Sequence, residues 1–190
     1  MGKIVVTEFM SLDGVVEDPG GGEDYEHGGW SFAISRGDEG DRFKLDEAIG
    51  SDALLLGRTT YEGFAEAWPQ RDGDFADKFN TMPKYVVSST LRDPEWTNST
   101  VVDGDLATAI GDIKARHDGD IVVHGSPQLA QGLLAQGLVD ELRLMVFPVV
   151  LGRGKRLFDD GADKTSLRLT DSSMVGDGVA ILVYEPAATR

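Results

Sequence analysis

Apolar and polar positions along the chain alternate between short strand-like runs and longer stretches with helical spacing. Lys3–Phe9 is rich in β-branched residues, and Ala53–Leu56 is a continuous apolar run of the kind that parallel sheets bury on both faces. Phe43–Ile49 and Leu106–Arg116 instead carry apolar residues at helical spacing. This alternation predicts βαβ units, and therefore a sheet that is mostly parallel.

The helix predicted to begin after residue 126 has the best-marked ends in the sequence. Ser126 is a favourable N-cap residue, Pro127 suits the first helical position, and Gly137 is typical of the residue that follows a helix. Weaker signals complete the pattern before it. They predict a short helix from about Thr60 and strands at Tyr85–Ser88, Thr100–Val102 and Ile121–Val123.

Three strand-like runs follow that helix with no helical segment between them. They are Glu141–Val150, Ser166–Val175 and Val179–Glu185, and Gly176-Asp177-Gly178 suits a hairpin turn between the last two. The pattern therefore predicts a single α/β domain over residues 1–190. Its central sheet is expected to be mostly parallel, with an antiparallel C-terminal hairpin and helices on both faces.

One segment, Glu17–Gly37, shows no period and contains the run Pro19-Gly20-Gly21-Gly22. About 20 irregular residues inside a compact domain are typical of a lid or a ligand-binding loop. A mobile insertion without function fits the same pattern, so the sequence leaves both interpretations open.

The charge of the chain restricts its partners. Of the 190 residues, 41% are apolar, which is enough for one substantial core, and the 33 acidic and 18 basic residues give a formal charge of −15. Such a surface repels phosphate backbones and anionic lipids, so nucleic-acid and membrane partners are not expected. An anionic ligand must be held by local features, such as helix N-termini and individual arginines.

The sequence contains no cysteine, which excludes disulfides, thiol catalysis and thiolate metal sites together. His27, His117 and His124 lack metal-ligand spacing, so we predict no metal site. Glu8 interrupts the first apolar run, which argues against a signal peptide. No stretch approaches the ~20 apolar residues of a membrane span, and we expect a cytoplasmic protein.

Three predicted strands end in small, charged or hydroxyl-bearing residues, at the sheet edge where open α/β proteins bind ligands. The residues are Gly57, Arg58, Thr59 and Thr60 on the first, Ser88 and Ser89 on the second, and Gly125 and Ser126 on the third. Each segment alone is also explained by an ordinary turn, but three in succession favour a nucleotide with several phosphates. The usual dinucleotide motif G-x-G-x-x-G does not follow the first strand.

A second group of candidates surrounds the end of the first strand. Asp13 can hydrogen-bond a polar substrate ring or organise a proton-donating water, although an Asp-Gly turn with Gly14 is an alternative explanation. Phe9, Trp30 and Phe32 can form an apolar wall beside a substrate, or can simply be core aromatics.

Several motifs resemble those of known reductases. Leu54–Glu62 resembles the strand–Gly-Arg-x-Thr-Tyr/Trp–Glu segment of dihydrofolate reductases. Ser11-Leu12-Asp13-Gly14, and the run Gly137–Leu144 leading to Pro148–Gly152, resemble motifs of the RibD C-terminal reductase family. The matches occur in the family's order and cover about residues 3–185. The resemblance implies the three-layer dihydrofolate-reductase-like fold.

The resemblance also implies a chemistry, with NADPH as the hydride donor. The reaction it implies is reduction of a C=N or C=O bond in a pterin-like, pyrimidine-like or ribosylamino substrate. It assigns the cofactor phosphates to Gly57–Thr60, Gly125 and Ser126, and it places Ser88 and Ser89 near the adenosine 2′-phosphate.

On the substrate side, the resemblance favours Asp13 as the catalytic residue, with Phe9, Gly14 and Trp30 as substrate-binding candidates. Dihydrofolate reductases also carry an acid on the first long helix, followed at fixed spacing by aromatic residues. The corresponding region here, Gly37–Lys44, does not match that pattern, which argues against folate as the substrate.

Two other functions stay open. One is the 5-amino-6-(5-phosphoribosylamino)uracil reductase step of riboflavin biosynthesis, without the zinc deaminase that often accompanies it, because that domain needs cysteines. The other is a nucleotide-binding module without turnover. Relatives often pair, so a homodimer is expected.

The phosphate of a ribosylamino substrate would require a second basic pocket. The candidates are Arg36, Arg42, Lys44 and the cluster Arg153, Lys155 and Arg156. Charge balance with Asp159 and Asp160 is the simpler explanation of that last cluster.

Overall fold

The computed structural model describes residues 1–158 and 160–187. The strands among them are β1 (Lys3–Ser11), β2 (Ser51–Gly57), β3 (Lys84–Val87), β4 (Ser99–Val102), β5 (Asp120–His124), β6 (Glu141–Phe147), β7 (Leu167–Val175) and β8 (Val179–Pro186). The α-helices are α1 (Gly37–Gly50), α2 (Arg58–Ala67), α3 (Asp74–Thr81), α4 (Leu106–Arg116) and α5 (Pro127–Ala135).

All eight strands join one sheet in the order β4-β3-β2-β5-β1-β6-β8-β7. The six strands from β4 to β6 are parallel neighbours, whereas β8 runs antiparallel to both β6 and β7. This arrangement confirms the predicted mostly parallel sheet with an antiparallel C-terminal hairpin. The carboxyl ends of the six parallel strands therefore meet at one edge.

Helices cover both faces of the sheet because the strands are apolar on both sides. One face packs Val6 and Leu55 against Ile113 of α4 and Leu133 of α5. The opposite face packs Leu54, Leu56 and their neighbours against α1, α2 and α3. Both cores hold the parallel strands rigidly, which fixes the positions of the turns at their carboxyl ends.

Four features depart from the sequence expectation. Helix α3 (Asp74–Thr81) was not predicted, and α1 begins at Gly37, one and a half turns before the apolar spacing becomes visible at Phe43. Strand β6 ends at Phe147, because Pro148 has no N–H with which to continue the ladder. The irregular segment contains a short 3₁₀ helix, Trp30–Ala33.

None of the helices in the described ranges combines the length and the apolar character that crossing a bilayer requires.

Candidate functional site

The turns after β2 and β5 are bonded directly to each other. The Gly57 N–H donates to Ser126 Oγ at 2.9 Å, and the Ser126 N–H donates to Thr60 Oγ1 at 2.9 Å. A Cβ added to Gly125 would lie only 3.4 Å from Thr60 Cγ2. Two of the three predicted turns therefore form one unit, although they lie more than 60 residues apart in the sequence.

Ser126 links the two turns of this unit through its hydroxyl and its N–H. It occupies the N-cap position of α5 as predicted, but its hydroxyl makes no capping bond and instead accepts from Gly57 and donates to His124 O at 3.3 Å. Gly125 and Ser126 both have left-handed backbones, with φ of 56° and 57°. A strained non-glycine residue at a strand end is typical of a functional turn, and successive amides in such a turn can form an anion-binding concavity.

The end of β3 carries hydroxyl groups between two guanidinium groups. Arg58 Nη1 donates to Thr90 Oγ1 at 2.7 Å, and Arg92 Nη2 donates to Ser89 O at 3.2 Å. Ser88 Oγ accepts from the Thr90 and Leu91 amides and lies 3.5 Å from Thr90 Oγ1. This cluster joins the second predicted turn, after β3, to the first through Arg58.

Arg92 was missed at the sequence level. The available signal was a cation two residues after the run of hydroxyl residues Ser88-Ser89-Thr90. Glu62 also contacts the site, since its Oε1 lies 2.7 Å from Arg58 Nε, and about half of the Arg58 side chain remains exposed.

Asp13 lies at the end of β1 and holds the loop that follows β6. Its Oδ1 accepts from Ser11 Oγ at 2.6 Å and from the Leu151 N–H at 3.1 Å, and its Oδ2 accepts from the Gly152 N–H at 2.8 Å. The Ser11 hydroxyl bond, followed by these amides, lowers the pKa of Asp13 to about 2. The carboxylate is therefore ionised at neutral pH and acts as an acceptor, not as a proton donor.

The substrate-side aromatics meet through a residue that the sequence did not single out. The Phe147 ring lies 5.4 Å from the Phe9 ring and 5.5 Å from the Trp30 ring, centroid to centroid. Trp30 is buried, and its Nε1 donates to Glu17 O at 2.8 Å. Phe32 is 76% exposed and takes no part in this wall. Gly14 has φ of 87°, which a turn glycine accommodates readily.

A buried ionic group lies next to this wall, and of its members only Lys44 was a candidate binding residue in the sequence analysis. Lys44 Nζ donates to Thr7 Oγ1 at 2.8 Å and pairs with Glu47, which also lies 3.5 Å from Arg143 Nη1. His124 Nε2 lies 3.9 Å from Glu47, and burial lowers the pKa of His124 to about 3, so the ring is neutral. These side chains come from α1, β1, β5 and β6.

Glu8 is the most unusual of the buried acids. It is 3% exposed, and its Oε1 has no hydrogen-bond partner among the described residues. Burial raises the pKa of Glu8 well above its ordinary value, so the group is held uncharged at acidic and weakly acidic pH. No sequence pattern indicated this, because a charged residue in a first strand normally faces water.

The basic cluster that we expected to balance Asp159 and Asp160 also pairs with other acidic residues. Among the described residues, Arg153, Lys155 and Arg156 pair with Glu26, Glu17 and Asp13 respectively. Asp159 lies outside the described residues.

Within 1–158 and 160–187, no cluster of three or more acidic or histidine side chains has metal-binding geometry.

The sheet order and the turns at its carboxyl edge define an α/β protein of the dihydrofolate-reductase-like class. The model of the RibD C-terminal domain family matches residues 2–181, and the chain belongs to that family. Among curated proteins, it is 26% identical to the uncharacterised Bacillus subtilis protein YyaP, over 96% of this chain and 94% of that one. It is 25% identical to the uncharacterised B. subtilis protein YwjB, over 94% and 95%.

Solved structures show the same fold. A "putative riboflavin biosynthesis protein" from Shewanella sp. PV-4 superposes with a TM-score of 0.78 at 23% identity, covering 97% of this chain and 99% of that one. A pyrimidine reductase-like protein from Corynebacterium diphtheriae gives 0.64 at 16%, covering 99% and 93%. RibD of Acinetobacter baumannii gives 0.59 at 16%, and this chain spans 58% of that longer protein.

Proposed function

We propose that this protein is an NADPH-dependent reductase that acts in the cytoplasm on a C=N or C=O bond of a small pterin-like, pyrimidine-like or ribosylamino substrate. Membership of the RibD C-terminal family supports a reductase-type function. The nicotinamide cofactor, the substrate class and the residue roles are our proposals.

The observation that carries the proposal is the pair of arginines around the turn after β3. In a chain with a charge of −15, Arg58 and Arg92 flank a turn in which Ser88, Ser89 and Thr90 present hydroxyl groups. A guanidinium fork and hydroxyl donors suit a phosphate monoester, such as the 2′-phosphate that distinguishes NADPH from NADH.

The other two turns suit the diphosphate of the cofactor. Helix α2 begins at Arg58, and its N-cap residue Gly57 provides no side-chain cap, so the Arg58, Thr59 and Thr60 amides of the first turn can receive an anion. The Gly125 turn lies in contact with Thr60, and its positive φ favours glycine at this position. When bound, NADPH would supply the hydride.

Asp13 would contribute as an ionised acceptor. Its carboxylate fixes the Leu151 and Gly152 amides at the end of β1, and in that state it can orient a water but cannot itself donate a proton near neutral pH. Phe9, Trp30 and Gly14 would line the substrate side, with Phe147 between the two aromatics.

One observation favours a phosphorylated ribosylaminouracil as the second candidate substrate. The Arg36 guanidinium lies 5.0 Å and the Lys44 ammonium 5.6 Å from the centre of the Phe9 ring. Lys44 is buried against Glu47, so the partly exposed Arg36, which pairs with Asp41, would provide the second basic position that such a phosphate requires.

Cofactor titration of the wild type and Arg58→Gln tests the proposal. We expect saturable NADPH binding by tryptophan fluorescence quenching, weaker binding of NADH, and an NADPH Kd raised about 10- to 100-fold in R58Q with little change for NADH. Arg168→Gln, on the far edge strand β7, is the matched control. Failure of the wild type to bind either nucleotide would overturn the proposal.

A binding module without turnover is distinguished by substituting Asp13. An enzyme should lose turnover in Asp13→Asn while its NADPH affinity stays within about twofold of the wild-type value, whereas a module has no turnover to lose.

A further inference from the structure

The first part of the irregular segment, residues 17–29, is bonded to a loop that follows β6. We call residues 17–29 the flap and residues 151–157 the clasp loop. Tyr25 Oη donates to Arg153 O at 2.7 Å, and the Lys155 N–H donates to Glu17 Oε2 at 2.9 Å. A Cβ on Gly154 would lie 3.0 Å from Tyr25 Oη, so the two segments are in close contact.

Ion pairs provide the rest of the attachment. Lys155 Nζ lies 2.8 Å from Glu17 Oε1 and 3.8 Å from Glu23 Oε2, and Arg153 Nε lies 3.1 Å from Glu26 Oε1. The Lys155 side chain lowers the pKa of Glu17, and Glu17 raises the pKa of Lys155. Three carboxylates of the flap thus face two cations of the clasp loop.

The clasp loop also forms one wall of a groove of about 320 Å³ beside α5. The lining residues are Pro127, Gln128, Gln131, Gly154, Lys155, Arg156, Phe158 and Asp160. Gln131 Nε2 donates to Arg156 O at 2.8 Å and joins the two walls. The side chains of Lys155 and Arg156 are 51% and 44% exposed, so both cations can be reached from solvent.

Lys155 and Arg156 therefore each line the groove and also form an ion pair outside it. Lys155 lines the groove and holds the flap through Glu17 and Glu23, while Arg156 lines the groove and lies 3.6 Å from Asp13 Oδ2. We propose that this groove binds a phosphate-type anion, and that the anion releases the flap by competing for Lys155. The anion can be a free phosphate species or the phosphate of a larger ligand.

Because one cation serves both interactions, the coupling is reciprocal. An anion that weakens the clasp must itself bind more tightly when the clasp is removed, by the same factor. Each exposed pair is weak, so loss of the Lys155 contacts is expected to change the flap equilibrium by about threefold.

Hydrogen exchange of the flap, read by mass spectrometry with inorganic pyrophosphate as the probe, tests the proposal. The Gly28 and Gly29 amides are bonded within the closed flap and report its opening. In the wild type, pyrophosphate should accelerate exchange over residues 17–29 by about threefold, beyond the effect of sodium chloride at equal ionic strength. Lys155→Gln should exchange fast without pyrophosphate and show no further response.

The variant Glu17→Gln tests the reciprocal effect, which is that of the flap on anion binding. It frees the flap but keeps the groove cations, so its pyrophosphate affinity should rise by about threefold. Lys3→Gln, an exposed change at the opposite edge of the sheet, should behave as the wild type. Unchanged pyrophosphate affinity in E17Q, or pyrophosphate that leaves flap exchange unchanged or slows it, would overturn the proposal.

The proposed cofactor site is tested separately by Arg58→Gln, which should leave the pyrophosphate response intact. If NADPH also opens the flap in R58Q, the phosphate of a larger ligand reaches the groove. If only pyrophosphate opens it, the groove takes the free anion.

Discussion

At the scale of single residues, Asp13 fits both a structural and a catalytic role. The sequence left open whether Asp13 is a turn residue or a catalytic residue. In the structure its carboxylate accepts three hydrogen bonds, one from Ser11 of β1 and two from the loop that follows β6. These bonds stabilise the charged form. A carboxylate so held supports the local architecture whether or not it also contacts a substrate.

This predicts a specific acid sensitivity. The folded-state pKa of Asp13 is lowered from 3.8 to about 2, so its stabilising contribution is present above pH ~4 and is lost as pH falls towards 2. Because the side chain is partly exposed, we expect about 1 to 2 kcal/mol. Urea unfolding at pH 6 and pH 3 should show a smaller pH effect in Asp13→Asn, and equal effects in both proteins would contradict this role.

Glu8 should respond to pH in the opposite direction. Its folded-state pKa is raised by burial, so the stability it contributes is present at low pH and is lost as pH rises above its unfolded value. The free energy of unfolding of Glu8→Gln should therefore increasingly exceed that of the wild type between pH 4 and pH 7. Glu39→Gln, at an exposed position on α1, is the control and should show no such divergence.

At the scale of elements, the C-terminal hairpin of β7 and β8 positions the start of helix α1, which lies in the first third of the sequence. The Asp177 N–H donates to Ser35 O at 2.7 Å, and a Cβ added to Gly176 would lie 2.1 Å from that same oxygen. The turn between β7 and β8 thus rests on the backbone just before α1, from which Arg36 reaches the Phe9 ring.

Two glycines in that turn allow a matched test. Gly176 and Gly178 both have positive φ, but a Cβ on Gly178 would come no closer than 3.9 Å to its surroundings. We expect Gly178→Ala to lower the free energy of unfolding by about 1 kcal/mol and Gly176→Ala by about 2 to 4 kcal/mol. Denaturant unfolding measures both, and equal losses would show that the contact with Ser35 contributes nothing.

Local patterns predicted most elements because most of the parallel strands are rich in apolar residues and many turns are marked by glycine or proline. Leu106–Arg116 was predicted with its observed ends. Helix α3 was missed although Phe75, Phe79 and Met82 recur at helical spacing, because the segment is short and lies among polar residues.

The candidate site was only partly predictable. Its three turns were found because each follows a strand directly, but the bonds between Gly57 and Ser126, and between Arg58 and Thr90, depend on how the strands neighbour one another in the sheet. The buried ionic group around Glu47 was not predicted for the same reason, since its side chains come from α1, β5 and β6.

At the scale of the whole molecule, one end of the sheet is open. Leu169 and Met174 of β7 are 48% and 65% exposed, and they lie on the same face as the half-buried Leu182 and Tyr184 of β8. An apolar sheet face of this kind suits pairing with a second copy of the chain.

We therefore expect a homodimer that Met174→Asp weakens by at least about tenfold. Ile49→Asp changes a similarly exposed apolar residue on α1 and should leave the association constant unchanged. Analytical ultracentrifugation measures both, and a wild type that stays monomeric at micromolar concentration would contradict the expectation.

The strand order also has a consequence for how the chain folds as it is made. Strand β1 leaves the ribosome first, but its neighbours in the sheet are β5 and β6, whose residues begin at 120 and 141. The two turns bonded through Gly57 and Ser126 likewise wait for the second half of the chain. The candidate site is therefore assembled late in synthesis, and a nascent chain that stops before β6 leaves one edge of β1 unpaired.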